Sequence, residues 1–276
     1  MLRRTLLTLI ACAGLLAPLR ALAAPVDDLA AALRLPELLR VLVEEGIGYG
    51  ADLEAELFPG AGGARWDAAV EAIHDPARMQ TQALARLHAE LGDHPEDVAR
   101  MTAFFTAEPG ATIVKLEIAA REAFLDDSAR EAAEVALTDM KERGDPRLEQ
   151  LDRLIVANDL IEQNIAGAMN ANLAFYQGMI AGGAVDATLP DGEMMADLWS
   201  QEPQIRQDTI DWLLPYMVMA YRPLSDADLD AYIAFSETPD GQLLNRALFA
   251  AFDGLFDTLS RDLGLAAAKM LQGQDI

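Results

Sequence analysis

The chain holds one cysteine, Cys12, close to its N-terminus. One thiol forms no internal disulfide and offers no cysteine cluster to a metal. Positive charge is also scarce: 21 Lys and Arg stand against 45 Asp and Glu, a formal net charge of -24. Phosphate backbones and anionic lipid surfaces are recognised through clustered Lys and Arg, so nucleic acid is a poor partner. Basic proteins, cationic ligands and metal ions stay open, beside the plainer reading of a solubilising acidic surface. Aromatics are only 6% of the residues, and β-branched runs of alternating polarity are hard to find, which argues against sheet. The three histidines, His74, His88 and His94, all fall in the first half, with no His-x3-His spacing. That speaks against histidine chemistry duplicated in the second half. A membrane span needs ~20 apolar residues, and the best internal stretch, 161–180, is broken by Glu162, Gln163 and three Asn residues.

What is present is apolar and helix-forming. Hydrophobic residues make up 52% and charged residues 24%, enough for a sizeable core without wholesale disorder. Abundant Ala and Leu favour helices packed through small and aliphatic side chains. The expected fold is all-α without substantial sheet.

The N-terminus has the form of an export signal. Arg3 and Arg4 precede an apolar stretch from Thr5 to Leu19, and Ala21-Leu22-Ala23 supplies the small-x-small pattern read by signal peptidase. Residues 1–23 are therefore expected to be removed by cleavage after Ala23. That takes away three arginines and Cys12, leaving a thiol-free, still more acidic periplasmic chain with no membrane insertion. Leu9-Ile10-Ala11-Cys12 also resembles a lipoprotein box, which would instead tether the chain through Cys12. The short apolar run before Cys12 and its continuation past it favour the soluble form.

Proline, glycine and capping residues punctuate the remainder. Pro36 opens a helix to about Phe58, and a short one with Trp66 ends near His74. Asp75 caps a helix from Pro76 to Leu91. Helices follow through Val98–Phe105 and from Pro109, before a central break at Gly144-Asp145-Pro146. Residues 147–181 read as one long helix or two abutting ones. Glu202-Pro203 is expected to restart the chain and Pro215 to kink the next helix. Ser225 with Asp228 forms a capping box, and Thr238-Pro239 caps the last helix.

Two stretches align at a period near 130 residues. Residues 96–101 lie over 227–232, and Phe105-Thr106-Ala107-Glu108-Pro109-Gly110 lies over Phe235-Ser236-Glu237-Thr238-Pro239-Asp240. This spacing suggests two related halves, 24–144 and 145–276, packed together. The superposition expected is of 36–125 on 158–255.

Leu224-Ser225-Asp226-Ala227-Asp228-Leu229, followed by Phe235-Ser236-Glu237-Thr238-Pro239-Asp240-Gly241-Gln242, resembles the hallmark of the domain-of-unknown-function family numbered twenty fifty-nine, found in exported bacterial proteins. The family pattern is an acidic helix ending in Phe-Tyr, then Ser-Pro, then Gly-Gln or Gly-Lys. Here Ser236 stands where Tyr is common and Thr238 replaces Ser. The resemblance covers about the last quarter of the chain and implies a helical fold in the periplasm. It carries over no catalytic residue. Mechanically, Thr238 caps, Pro239 presets φ, Gly241 permits close helix contact and Phe235 plugs a helix corner. Phe105 and Pro109 are the corresponding device in the first half.

The remaining candidates are weaker. His88 and His94 with Glu90 and Asp93 are read as helix-end residues before metal ligands. Met194-Met195 and Met217-Val218-Met219 invite a copper(I) reading, but methionine at helical spacing is more often core filling. Gly46-x-Gly48-x-Gly50 fits a close helix crossing better than a nucleotide loop. A groove between the halves, lined by Trp66, Trp199, Tyr49 and Tyr176, would suit a protein or small-molecule partner of the cell envelope. The leading expectation is a non-catalytic periplasmic binding or interaction module without a cofactor. The alternatives are an envelope hydrolase or lyase using carboxylates and a copper-handling protein.

Overall fold

The computed structural model describes the backbone of residues 17–185 and 191–273, with side chains described from residue 25 onward except at 186–194 and 197. Among these residues the chain is built of α-helices with no strand. The order is α1 (Ala17–Ala32), α2 (Leu35–Leu57), α3 (Gly63–Ile73), α4 (Pro76–Leu91), α5 (Pro95–Thr106) and α6 (Gly110–Ala123). Then come α7 (Asp127–Arg143), α8 (Arg147–Ala157), α9 (Leu160–Ala181), α10 (Asp191–Tyr221), α11 (Asp226–Ser236) and α12 (Pro239–Leu271). No helix among the described residues is long and apolar enough to cross a membrane. The expected signal segment and Cys12 lie mostly outside the described residues.

The caps read in the sequence form. Asp75 accepts from Arg78 N at 2.7 Å, Ser225 from Asp228 N at 3.1 Å and Thr238 from Gly241 N at 3.0 Å. Each satisfies an amide that the first helical turn leaves without a partner. The 147–181 stretch is two helices, separated where Asp159 takes φ 50°. Pro203 does not restart the chain: it lies inside α10, as does Pro215. An internal proline leaves a carbonyl one turn earlier without its amide. At Pro203 that carbonyl belongs to Trp199, a residue 61% exposed, where water can take the amide's place.

The apolar residues sort into two clusters that do not follow the central break. One joins α1 to α5 and part of α6 with α12, from Val26, Leu39, Trp66, Met79 and Met101 to Leu244, Leu255 and Leu263. The other joins Ile113 and Ala120 of α6 with α7, α8, α10 and α11, including Leu151, Leu154, Met217 and Leu229. A division at 144/145 therefore separates α12 from α3, α4 and α5, on which it packs as well as on α9. The order of residues suggested two related halves, but the last helix packs on helices from both.

α9 and α12 run in parallel along most of α9. A Cβ on Gly178 would stand 2.2 Å from Arg261 O, and one on Gly264 2.2 Å from Phe175 O. Glycine on both helices thus allows the backbones to touch. The Gly46/Gly50 stripe acts likewise on α2. A Cβ on Gly46 would meet the His74 ring at 2.2 Å and one on Gly50 would meet Val70 at 2.6 Å, so α3 nests against it.

Candidate functional site

The two cores meet around a cavity of about 490 Å³. Its wall is drawn from both: Leu42, Phe105 and Leu244 from the first, Leu154, Leu213 and Tyr221 from the second. Tyr232 packs against both clusters. Aromatic and aliphatic side chains dominate the lining, and the charged residues in it are Glu117, Arg121 and Asp253.

Glu117 holds the polar end. It sits on α6, where the i, i+4 spacing places it one turn before Arg121 on the same face. The Tyr221 hydroxyl donates to Glu117 Oε1 at 2.6 Å, and Tyr232 supplies a second side-chain hydrogen bond. The Tyr216 hydroxyl donates to the Glu117 backbone carbonyl at 3.0 Å. Burial pushes the Glu117 carboxyl above its ordinary range, against the opposing pull of the two tyrosine hydrogen bonds. Glu117 retains some accessible surface, and it is a wall residue of the cavity, so the carboxyl is removed from bulk solvent without being sealed in protein. Burial also pushes the Tyr221 and Tyr232 hydroxyls well above their ordinary value, with the Glu117 charge adding to it, so both remain neutral donors.

Arg121 is already compensated. It makes a two-point ion pair with Glu45 of α2, Nε to Oε1 at 2.7 Å and Nη2 to Oε2 at 2.8 Å. Its guanidinium also lies over the Trp212 ring, 5.6 Å from the centroid. Trp212 stacks on Tyr216 at 4.9 Å and 13°, with Phe124 edge-on to both. Trp212 is 37% exposed, so this part of the wall reaches solvent. Also in the wall, Asp253 packs against Gly167 of α9, its carboxyl raised by burial and then by Asp257.

The family-like motif forms one rim. Phe235 and Gly241 line the cavity, as does Phe105. Gln242 Nε2 donates to Ala157 O at 2.5 Å and Ser236 O at 2.8 Å, and Asn245 Nδ2 donates to Asn158 O at 2.9 Å. The carbonyls of Ala157 and Asn158 lie at the break between α8 and α9, and that of Ser236 at the end of α11, where in each case the helical ladder stops. The Gly-Gln pair thus has a structural task. Pro109, preceded by a cis peptide bond, stands at the α5–α6 corner.

The four aromatics read as a groove are absent from the lining of this cavity. Trp66 is fully buried in the first core, its Nε1 donating to Gly50 O at 2.7 Å. Tyr49 and Trp199 are exposed, Tyr176 is half-buried, and none of the four lines this cavity. Position in each half was the ground for grouping them, and the interleaved cores remove that ground. The histidines are also apart in role: His74 is buried with Nδ1 on Val70 O, His88 pairs with Asp27 and His94 with Asp97. Among the described residues no group of three His, Cys, Asp or Glu is placed to hold a metal ion. Met217 and Met219 pack in the second core, while Met195 is exposed.

Sequence reading missed Glu117, Tyr216, Tyr221 and Tyr232. The acid was one among 45, and the tyrosines come from α10 and α11, about a hundred residues downstream. An available signal was that these three tyrosines, of only five in the chain, cluster within residues 216–232. Comparison with protein-family models, with curated proteins and with solved structures finds no match to this chain.

Proposed function

We propose that the protein is a non-catalytic binding module that holds a small, mainly apolar molecule in the cavity between its two cores. The observation that carries this reading is the cavity itself. It has the size and the largely apolar lining of ordinary ligand sites, with a few converging polar groups at one end. Those groups are held in place before any ligand arrives, since Glu117 and its tyrosines are fixed by bonds from α10 and α11.

The compartment proposed is the periplasm, with cleavage after Ala23. Among the described side chains of α1, Val26, Leu29 and Ala30 are buried, and all lie downstream of that bond. Cleavage would also leave Pro25 at the start of α1, where its missing amide costs nothing, instead of inside the helix. The resemblance to the family numbered twenty fifty-nine agrees with this setting and assigns no catalytic residue.

Calorimetric titration with phenylbutanol, an apolar probe with one neutral polar group, tests the reading. Wild type is expected to bind at one site, and Ala168→Trp, which fills the cavity from α9, is expected to abolish binding while keeping the helical spectrum. Binding unchanged in Ala168→Trp would place the ligand elsewhere. A carboxylate-dependent hydrolase or lyase would use the same Glu117; that rival predicts turnover that is lost in Glu117→Gln while ligand binding is kept.

A further inference from the structure

We infer that the ligand is an organic cation, an apolar body carrying one ammonium group that Glu117 reads. This rests on the cavity being the ligand site and adds the charge of its occupant. Three features of the wall converge on it.

First, the formal charges left over are negative. Arg121 is the cation of the wall and is matched by both oxygens of Glu45. Among the described residues of the wall Glu117 and Asp253 have no such partner: Glu117 is served by neutral tyrosine hydroxyls and Asp253 lies near a second acid, Asp257. An anionic ligand would have to enter against both carboxyls, whereas an ammonium would supply the missing charge.

Second, the geometry around Glu117 leaves acceptor capacity. A carboxylate has about four lone-pair sites, and the two tyrosines fill part of that set. Both tyrosines are donors here, so they hold the carboxyl in one orientation as an acceptor. An ammonium with three N–H donors can complete the set, while a second carboxylate has nothing to donate.

Third, the aromatic faces suit a cation. Ring faces attract positive charge, and the attraction grows where water is excluded. The wall includes the rings of Tyr216, Tyr221, Tyr232, Phe105 and Phe235, and the three tyrosines bond to Glu117 through their hydroxyls. One such contact is already made, by Arg121 over Trp212.

The test compares three probes of one shape on the full-length mature protein: phenylbutylamine, phenylbutanol and phenylbutanoate, each titrated by calorimetry near neutral pH. The amine is expected to bind roughly tenfold more tightly than the alcohol, and the acid more weakly than either. In Glu117→Gln, which keeps an acceptor oxygen for the tyrosines, the advantage of the amine over the alcohol is expected to be lost. Equal binding of amine and alcohol by wild type overturns the charge assignment and leaves the cavity as a ligand site. Preference for the acid overturns it as well. No binding of any probe removes the underlying reading too. If Asp253→Asn abolishes the amine preference and Glu117→Gln does not, Glu117 is not the reading residue. Should Glu117→Gln unfold, the ranking of the three probes on wild type still decides the ligand charge.

Discussion

Phe104 and Phe235 lie face to face, their ring centroids 4.1 Å apart and their planes 11° from parallel. They end two helices, α5 and α11, and each is followed six residues later by a glycine pressed onto its carbonyl. A Cβ on Gly110 would be 2.3 Å from Phe104 O, and one on Gly241 would be 2.2 Å from Phe235 O. Phe104 and Gly110 thus match Phe235 and Gly241 with a single offset of 131 residues. Phe105 takes the place of Ser236, and both are buried.

These corners predict a sharp contrast among glycines. Gly110→Ala and Gly241→Ala should each cost about 3 kcal/mol or more, since the new methyl meets backbone that cannot turn away. Gly48→Ala, with nothing within 4 Å and in the middle of α2, should instead gain about 1 kcal/mol through helix propensity. Chemical denaturation of the three variants checks the ranking; equal effects at all three positions would contradict the close-approach account.

Phe105→Ala and Phe235→Ala should separate stability from binding. Phe105 is 4% exposed, and its truncation should cost roughly 3–5 kcal/mol. Phe235 is half-buried on the cavity wall, so its loss should cost less stability and weaken binding of phenylbutanol more. Thr238→Ala should cost about 1 kcal/mol, the worth of one helix cap. Thermal melts together with titration measure all three.

Glu117 and His74 should give pH dependences of opposite sign. The folded-state pKa of Glu117 is raised, so its stabilising contribution is complete below the ordinary value of 4.5 and is lost as pH rises through the folded value. Glu117→Gln should flatten that decline and be the more stable protein at neutral pH. Denaturation midpoints measured from pH 4 upward test this; a variant that follows the wild-type curve refutes it.

For His74 burial is the main cause of a lowered pKa, with the Val70 bond opposing it and Arg78 reinforcing it. Its contribution is present above the ordinary value of 6.5 and is lost as pH falls through the folded value. His74→Gln should remove the part of the acid destabilisation that sets in below that value, even though the variant is weaker overall. An unchanged slope would show that another group is responsible.

The chain's order of residues by itself determined the helical class and most helix limits. Asp75-Pro76, Ser225 with Asp228, and Thr238-Pro239 act through partners three residues away, so local spacing was enough to place them. The Gly46/Gly50 stripe was legible for a similar reason, because a residue without a side chain on one helix face marks a close neighbour even when that neighbour is unidentified. Tertiary structure alone decided the rest. Only packing lays α12 on α3, α4 and α5 as well as on α9, keeps Trp66 buried in the first core and brings Glu117 to Tyr221 and Tyr232. Apolar periodicity states which face of a helix is buried but not which other helix buries it. A site assembled from α6, α10 and α11 is therefore fixed by the pairing of helices distant along the chain, and no local spacing records that pairing.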